Sequence, residues 1–172
     1  KNLVNVLLEC VSTARNSSSV RPQPKCILLF GDPGQGKSDV LGILAKKITL
    51  QMQNDSARDY WTNIKTLNNG LIYYKAKDTE YYEGYANQPF ASFDDIFQVQ
   101  SPTAYAQDID TIITLINTAP APLNYASVNL KGKIGFDSRA VFFTSNFSNW
   151  ADLPMTDVNA LARRFTMGLK LV

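Results

Sequence analysis

The chain has 172 residues, 45% hydrophobic and 19% charged, with 17 basic and 15 acidic side chains and a formal net charge of +2. That is the balance of an ordinary globular domain, long enough to bury a full core without disulfides or structural metal. Histidine is absent, which excludes a Ser-His-Asp or Cys-His nucleophile, a His-ligated zinc and a histidine pH switch; the small net charge by itself argues for neither nucleic acid nor an anionic membrane, so such partners must be inferred from local patches.

Leu3, Val4, Leu7, Leu8, Val11 and Ala14 recur at helical spacing and predict an amphipathic helix ending before Asn16. Arg21-Pro22-Gln23-Pro24 reads as a linker, so residues 1–20 are expected to form an N-terminal helix and linker and residues 21–172 the core. Cys10 and Cys26 make neither a CxxC pair nor a four-ligand set and read as reduced, buried thiols. No apolar run approaches the ~18 residues of a membrane span, and the start is no signal peptide. The chain begins at Lys1 and ends in Leu169-Lys170-Leu171-Val172, which suggests a piece of something longer.

Lys25 to Phe30 is a dense apolar run bounded by Pro24 and Gly31, the pattern of a strand buried on both faces. A glycine-rich turn follows it. Val40, Leu41, Leu44, Ala45, Ile48 and Met52 then mark one face of a helix from Lys37 to about Gln53. A further helix is expected around Ala57 to Leu67, and Leu71 to Lys75 reads as a strand. Phe90 to Phe93 and Ala140 to Thr144 are two more short buried strands, with Ile109, Ile112, Ile113 and Ile116 marking a helix between them. This alternation predicts an α/β layered fold with a mainly parallel central sheet, whose ligands sit at the carboxyl ends of the strands.

Gly31-Asp32-Pro33-Gly34-Gln35-Gly36-Lys37-Ser38 fits G-x-x-x-x-G-K-[ST] and stands where that motif must stand, after a buried strand and opening a helix. Glycines let the backbone curl around phosphate oxygens, while loop N–H groups and the helix amino end supply positive potential. Lys37 is expected to reach the β and γ phosphates and Ser38 to place its hydroxyl on Mg²⁺. Asp32, an acid inside an anion-binding loop, is expected to point away.

Asp94 and Asp95 end the Phe90 to Phe93 strand. Asp94 is expected in the metal shell and Asp95 to orient and deprotonate the attacking water, although either acid can take either role, and adjacent acids at a strand end also cap helices. Thr144-Ser145-Asn146 ends the strand that starts at Ala140, placing the Asn146 amide beside the γ-phosphate; Asn in such a segment is also ordinary turn chemistry. Arg163 and Arg164 precede the last apolar run and suit a cationic finger for phosphoryl transfer, but such a pair is equally the composition of a solvated helix face. Tyr73, Tyr74, Tyr81, Tyr82 and Tyr85 suit either base stacking or packing, and packing is the favoured reading.

In this order the motifs resemble the superfamily 3 helicases of positive-strand RNA viruses, most closely the membrane-associated ATPase/helicase of picorna-like viruses. The resemblance runs through Gly31 to Ser38, Tyr82 to Gln88 leading into Asp94-Asp95, Lys131 to Ser138, Phe143 to Asn146, and Ala160 to Phe165. It implies a three-layer P-loop NTPase of AAA+ type that binds ATP and Mg²⁺ and assembles into a ring, as a homo-hexamer, with Arg163 and Arg164 acting in trans. It also implies that Asn146 is a sensor and that Lys131 and Lys133 face a central pore and contact single-stranded RNA; Lys-Gly-Lys is independently the composition of a hairpin tip. Further implied are viral replication proteins as partners, membrane attachment through segments absent here, and a place in the host cytoplasm on the cytoplasmic face of replication membranes. No Cys-rich zinc segment and no carboxy-terminal oligomerisation helix are recognisable. A nucleotide-switched interaction platform without RNA translocation is the alternative of a different class, and a small P-loop phosphotransferase a third.

Overall fold

Apolar runs that lack a polar face can only be satisfied in the middle of a sheet covered on both sides, and the chain builds one. In the computed structural model, which describes residues 20–52, 69–77, 79–127, 129, 132–147, 150, 153, 155 and 158–172, five strands form a wholly parallel sheet. They are β1 (Lys25–Phe30), β2 (Ile72–Lys75), β3 (Phe90–Phe93), β4 (Ala140–Ser145) and β5 (Met167–Lys170), in the order β2-β3-β4-β1-β5. The helices predicted before Asn16 and around residues 57–67 lie outside the described residues, as does Cys10.

Side-chain alternation divides each central strand between two cores. Ile27 and Leu29 of β1, Phe90 of β3, and Ala140 and Phe142 of β4 pack under α1 (Lys37–Met52), which contributes Leu41 and Ala45. On the opposite face Cys26, Leu28, Ala91, Phe93, Val141 and Phe143 meet Ile112 and Leu115 of α2 (Pro102–Leu115) and Leu161 of the short α3 (Val158–Ala162). The result is three layers, helix on sheet on helix, around the parallel sheet that the alternation of strands and helices predicts. Phenylalanine pairs tie β3 to β4 on both faces, Phe90 tilted against Phe142 at 5.8 Å and Phe93 stacked on Phe143 at 5.2 Å between ring centroids. Truncating such a fully buried ring costs about 3–5 kcal/mol. The Cys26 thiol is free and fully buried, and that burial pushes its pKa up.

Local signals set the ends of α2. Ser101 caps its amino end by accepting the Ala104 N–H at 3.1 Å, and Pro102 occupies the first turn, where its missing N–H is harmless. Its carboxyl end is held from far away in sequence. Arg21, which reads as part of a linker, is 8% exposed and donates to the carbonyls of Thr114 (3.0 Å), Leu115 (2.8 Å) and Ala119 (2.8 Å). Arg164 donates to Ile116 O at 2.6 Å. Two guanidinium groups thus satisfy the orphan carbonyls and the negative end of this helix. Burial lowers the Arg21 pKa, opposed by the nearby Tyr85 and Asp137.

The tyrosines divide. Tyr73, Tyr82 and Tyr85 pack together, with centroid separations of 6.3 Å for Tyr73–Tyr82 and 5.2 Å for Tyr73–Tyr85. Tyr74 and Tyr81 remain exposed, because Tyr74 alternates to the outer side of β2, the edge strand. No helix among the described residues is long and apolar enough to cross a membrane.

Candidate functional site

Register decides which residues meet at the carboxyl edge of the sheet. Phe30 pairs with Ser145 and Phe93 with Phe143, so Gly31, Asp94 and Asn146 emerge side by side from β1, β3 and β4. The Gly31 N–H donates to Ser145 O at 3.3 Å, keeping the start of the loop against β4.

The loop from Gly31 to Gly36 needs glycine for two separate reasons. At Gly31, φ is 151°, and a Cβ would lie 2.5 Å from the carbonyl oxygen of Leu171 and 2.7 Å from Gln35 Oε1. At Gly36, φ is 71°, a left-handed turn that leads straight into α1. The helix begins at Lys37, so its unpaired amino-terminal N–H groups and the positive end of its dipole lie at the loop. Asp32, Pro33, Gly34 and Ser38 are exposed around this turn.

Lys37 is 8% exposed, and its three ammonium donors are all engaged: to Gly31 O at 3.0 Å, Asp32 O at 2.9 Å and Asn146 Oδ1 at 2.6 Å. The Asn146 Nδ2 donates in turn to Asp95 Oδ1 at 3.1 Å and to Gln98 Oε1 at 3.0 Å. A continuous chain of charge-assisted hydrogen bonds therefore runs from the loop ammonium through Asn146 to the acid after β3. Asp94 and Asp95 share one support. The Thr144 hydroxyl donates to Asp94 Oδ1 and accepts the Asp95 N–H at 2.9 Å. Thr144 and Gln98 join this hydrogen-bonded network although the sequence does not single them out. Thr144 was hidden inside an apolar strand, where its hydroxyl is the only signal, and Gln98 has no motif spacing of its own.

The predicted residues are thus only partly brought together. Gly31 to Ser38, Asp94, Asp95 and Asn146 converge on one edge. Arg163 is exposed, with Nε donating to Asn159 O at 3.3 Å, and Arg164 is turned inward onto α2 of its own chain. Lys133 follows Gly132 (φ 74°) next to an isolated antiparallel bridge between Pro122 and Gly135, where Leu123 N–H donates to Ile134 O at 3.0 Å and Phe136 N–H to Ala121 O at 2.8 Å. Lys131 lies outside the described residues.

Two cavities flank the edge. One of about 320 Å³ is lined by Gly31, Asp32, Gln35, Asn146, Phe147 and Lys170. Gln35 Oε1 there is a buried acceptor without a hydrogen-bond partner among the described residues, the kind of atom that a bound donor would satisfy. The other, of about 600 Å³, lies beyond Asp94 and includes Lys75, Lys77, Tyr82, Asp108 and Asp110 in its walls. Lys77 reaches out of it to donate to Asp95 O at 2.7 Å. Burial raises the Asp108 pKa, opposed by the N–H of Phe97, which donates to its carboxylate, and by Lys77. Tyr82, in the same wall, is pushed up to about 12 by burial, aided by Asp110. No group of three or more Cys, Asp or Glu side chains able to cage a metal occurs among the described residues.

A profile of the RNA helicase family matches residues 27–147, from β1 through the end of β4. The genome polyprotein of Human klassevirus 1 is 31% identical over 151 residues, 88% of this chain and 6% of the polyprotein. The RNA1 polyprotein of Cowpea mosaic virus (strain SB) is 35% identical over 129 residues, 74% of this chain and 6% of the polyprotein. The genome polyprotein of Human rhinovirus C (strain C15) is 29% identical over 152 residues, 88% of this chain and again 6% of the polyprotein. The chain therefore spans about 6% of the length of the polyproteins it matches. A parallel three-layer sheet carrying a glycine loop, two acids and an amide on one edge, together with these matches, establishes that the chain belongs to the RNA helicase family, the superfamily 3 helicases of RNA viruses.

Proposed function

We propose that this chain is the ATPase core of a viral RNA helicase, of AAA+ type, in which Gly31 to Ser38 form the Walker A loop. The observation that carries this reading is the hydrogen-bonded chain Lys37–Asn146–Asp95 beside a loop into which no side chain fits at Gly31. Such a chain joins the group that would bind a γ-phosphate to the group that would handle water. The residues present suit a nucleoside triphosphate: a helix amino end, a buried ammonium with three donors, and the unpaired Gln35 acceptor in the adjoining cavity.

In this mechanism Lys37 exchanges its loop carbonyls for phosphate oxygens, and its positive charge opposes the charge developing on the transferred group. Asp95, aligned by Asn146 and by the Thr144 hydroxyl on its N–H, accepts the proton of the attacking water. Ser38 and Asp94 would hold Mg²⁺, which supplies charge neutralisation between the phosphates when bound. Arg163 extends from the end of α3 toward a neighbouring subunit of a ring, while Arg164 fixes that end to α2. We place Lys131 and Lys133 against single-stranded RNA. The assembly is a homo-hexamer working with viral replication proteins on the cytoplasmic face of host replication membranes.

Hydrolysis measured against protein concentration, with and without single-stranded RNA, tests the reading. The rate per subunit is expected to rise with concentration as rings form, to increase with RNA, and to lose that increase in a Lys131→Ala, Lys133→Ala double variant. Mixing Arg163→Ala with Lys37→Ala protein is expected to restore activity. A magnesium-dependent rate unchanged in Lys37→Ala would refute the assigned site, and indifference to RNA would favour a nucleotide-switched platform.

A further inference from the structure

Asn146 carries one acceptor and two donors on its amide, and all three are engaged. Lys37 takes the acceptor, Asp95 one N–H, and Gln98 the other at 3.0 Å. The first two partners are an ammonium and a carboxylate that the proposed function already uses. Gln98 has no assigned role, yet the chain is bent to deliver it. Asp95 and Phe97 both lie in the left-handed region, with φ of 51° and 61°. A bulky residue such as phenylalanine adopts that conformation only where its surroundings over-determine it.

Those surroundings are visible. The Phe97 ring is 1% exposed and stands edge-on to Trp150 at 5.5 Å and to Tyr105 at 6.1 Å. Its N–H donates to Asp108 Oδ2 at 2.7 Å. On the preceding residue, Ile96 N–H donates to Thr144 O at 2.9 Å, and Ile96 O accepts the Ser145 hydroxyl at 2.8 Å. The turn is thus fastened to β4 and α2 on either side, and its two left-handed residues fold the chain back over the carboxyl edge, where Gln98 meets Asn146.

We propose that Gln98 is a positioning residue for the proposed hydrolysis: its Oε1 fixes the rotation of the Asn146 amide. A side-chain amide turned by 180° would present Nδ2 to the Lys37 ammonium, donor against donor, and Oδ1 to the Asp95 carboxylate, acceptor against acceptor. Lys37 and Asp95 each favour one face of the amide. With its Oε1 toward Nδ2, Gln98 adds a second acceptor beside Asp95 and so reinforces the orientation that the carboxylate selects when Lys37 moves to a phosphate. The kinetic consequence rests on the ATPase reading, whereas the orientation of Asn146 does not.

Gln98→Met removes the acceptor at constant length and, being at an exposed position, leaves the fold intact. The test combines an NMR measurement of the Asn146 side-chain amide protons with a double-mutant cycle in steady-state hydrolysis. In Gln98→Met one Asn146 Nδ2 proton is expected to move upfield and to exchange faster with water. The turnover number is expected to fall about tenfold while nucleotide affinity changes less than about twofold. In an Asn146→Ala background the same substitution is expected to change the rate less than about twofold, since it acts through an amide no longer there. An unchanged Asn146 amide in Gln98→Met, or a kinetic loss that adds in full to that of Asn146→Ala, would overturn the proposal. If the wild-type chain hydrolyses no nucleotide, the ATPase reading fails while the amide spectrum still decides the role of Gln98.

Discussion

Replacing Gly31 with alanine probes the loop where its geometry is most constrained. A φ of 151° lies outside the regions open to an L side chain, at a cost of about 1–3 kcal/mol. The added Cβ would stand 2.7 Å from Gln35 Oε1, which can rotate away, and 2.5 Å from the Leu171 carbonyl oxygen, which is backbone. Moving Leu171 strains the end of β5, because its own N–H donates to Phe30 O at 2.8 Å. Relieving that overlap costs a further amount of about 1–3 kcal/mol. With each kcal/mol worth roughly 2–4 °C at this chain length, the combined loss of about 2–6 kcal/mol lowers the Tm by about 5–20 °C. Gly34→Ala is the control: φ is 85° and nothing lies within 4 Å of the new Cβ, so only the backbone cost of about 1–2 kcal/mol remains. Differential scanning calorimetry of the two variants measures the difference. Equal Tm values for Gly31→Ala and Gly34→Ala would refute the close approach of the loop to β5.

Thr144→Val leaves the half-buried Asp95 N–H without its partner and Asp94 without its donor; a stability loss of about 1–3 kcal/mol in denaturant titration should accompany a fall in hydrolysis, and a fully active, equally stable variant would contradict the role of Thr144. Arg164→Ala removes the 2.6 Å bond to Ile116 O and is expected to lower the Tm, whereas Arg163→Ala, at an exposed position, is expected to keep the Tm and to lose rate only in assembled protein. The opposite pattern would reverse their assignments. Because the folded-state pKa of Asp108 is raised above 3.8, the folded chain holds that proton more tightly than the unfolded one, so its contribution to stability is complete below 3.8 and is lost as pH rises through the folded value. Asp108→Asn, which keeps an acceptor for the Phe97 N–H, should therefore match or exceed the wild-type Tm at pH 7 and lose that part of the pH dependence; a marked drop at pH 7 would show that the ionised carboxylate is needed.

What the sequence makes legible is what short-range pattern controls. β1, β3 and β4 announce themselves because all four residues Cys26 to Leu29 and every residue of β3 and β4 are buried, leaving no polar face to blur the signal. The glycine loop is legible because a single contiguous stretch supplies both its turn and its donors. β5 is weaker: Met167-Gly168-Leu169-Lys170 is an edge strand, mostly exposed and interrupted by glycine, so the sequence carries only a short apolar run. Contacts between distant residues are not legible at all. Arg21 reads as part of a proline-flanked linker, and its buried bonds to residues 93–98 positions away exist only once α2 has packed. The same holds for the two arginines of the Arg163-Arg164 pair, alike in sequence but different in surroundings because Arg164 donates to the end of α2. Asn146 was recognisable by place, but its partnership with Lys37, Asp95 and Gln98 follows from strand register.

The account rests on a nucleoside triphosphate bound by the loop and by Lys37. Isothermal titration calorimetry with a non-hydrolysable ATP analogue and Mg²⁺ measures this most directly, comparing the wild-type chain with Lys37→Ala. Saturable binding is predicted for the wild type, weakened at least about tenfold in Lys37→Ala by the loss of charge-assisted hydrogen bonds. No heat of association with the wild type at any temperature tested, or equal affinity in the variant, would contradict it.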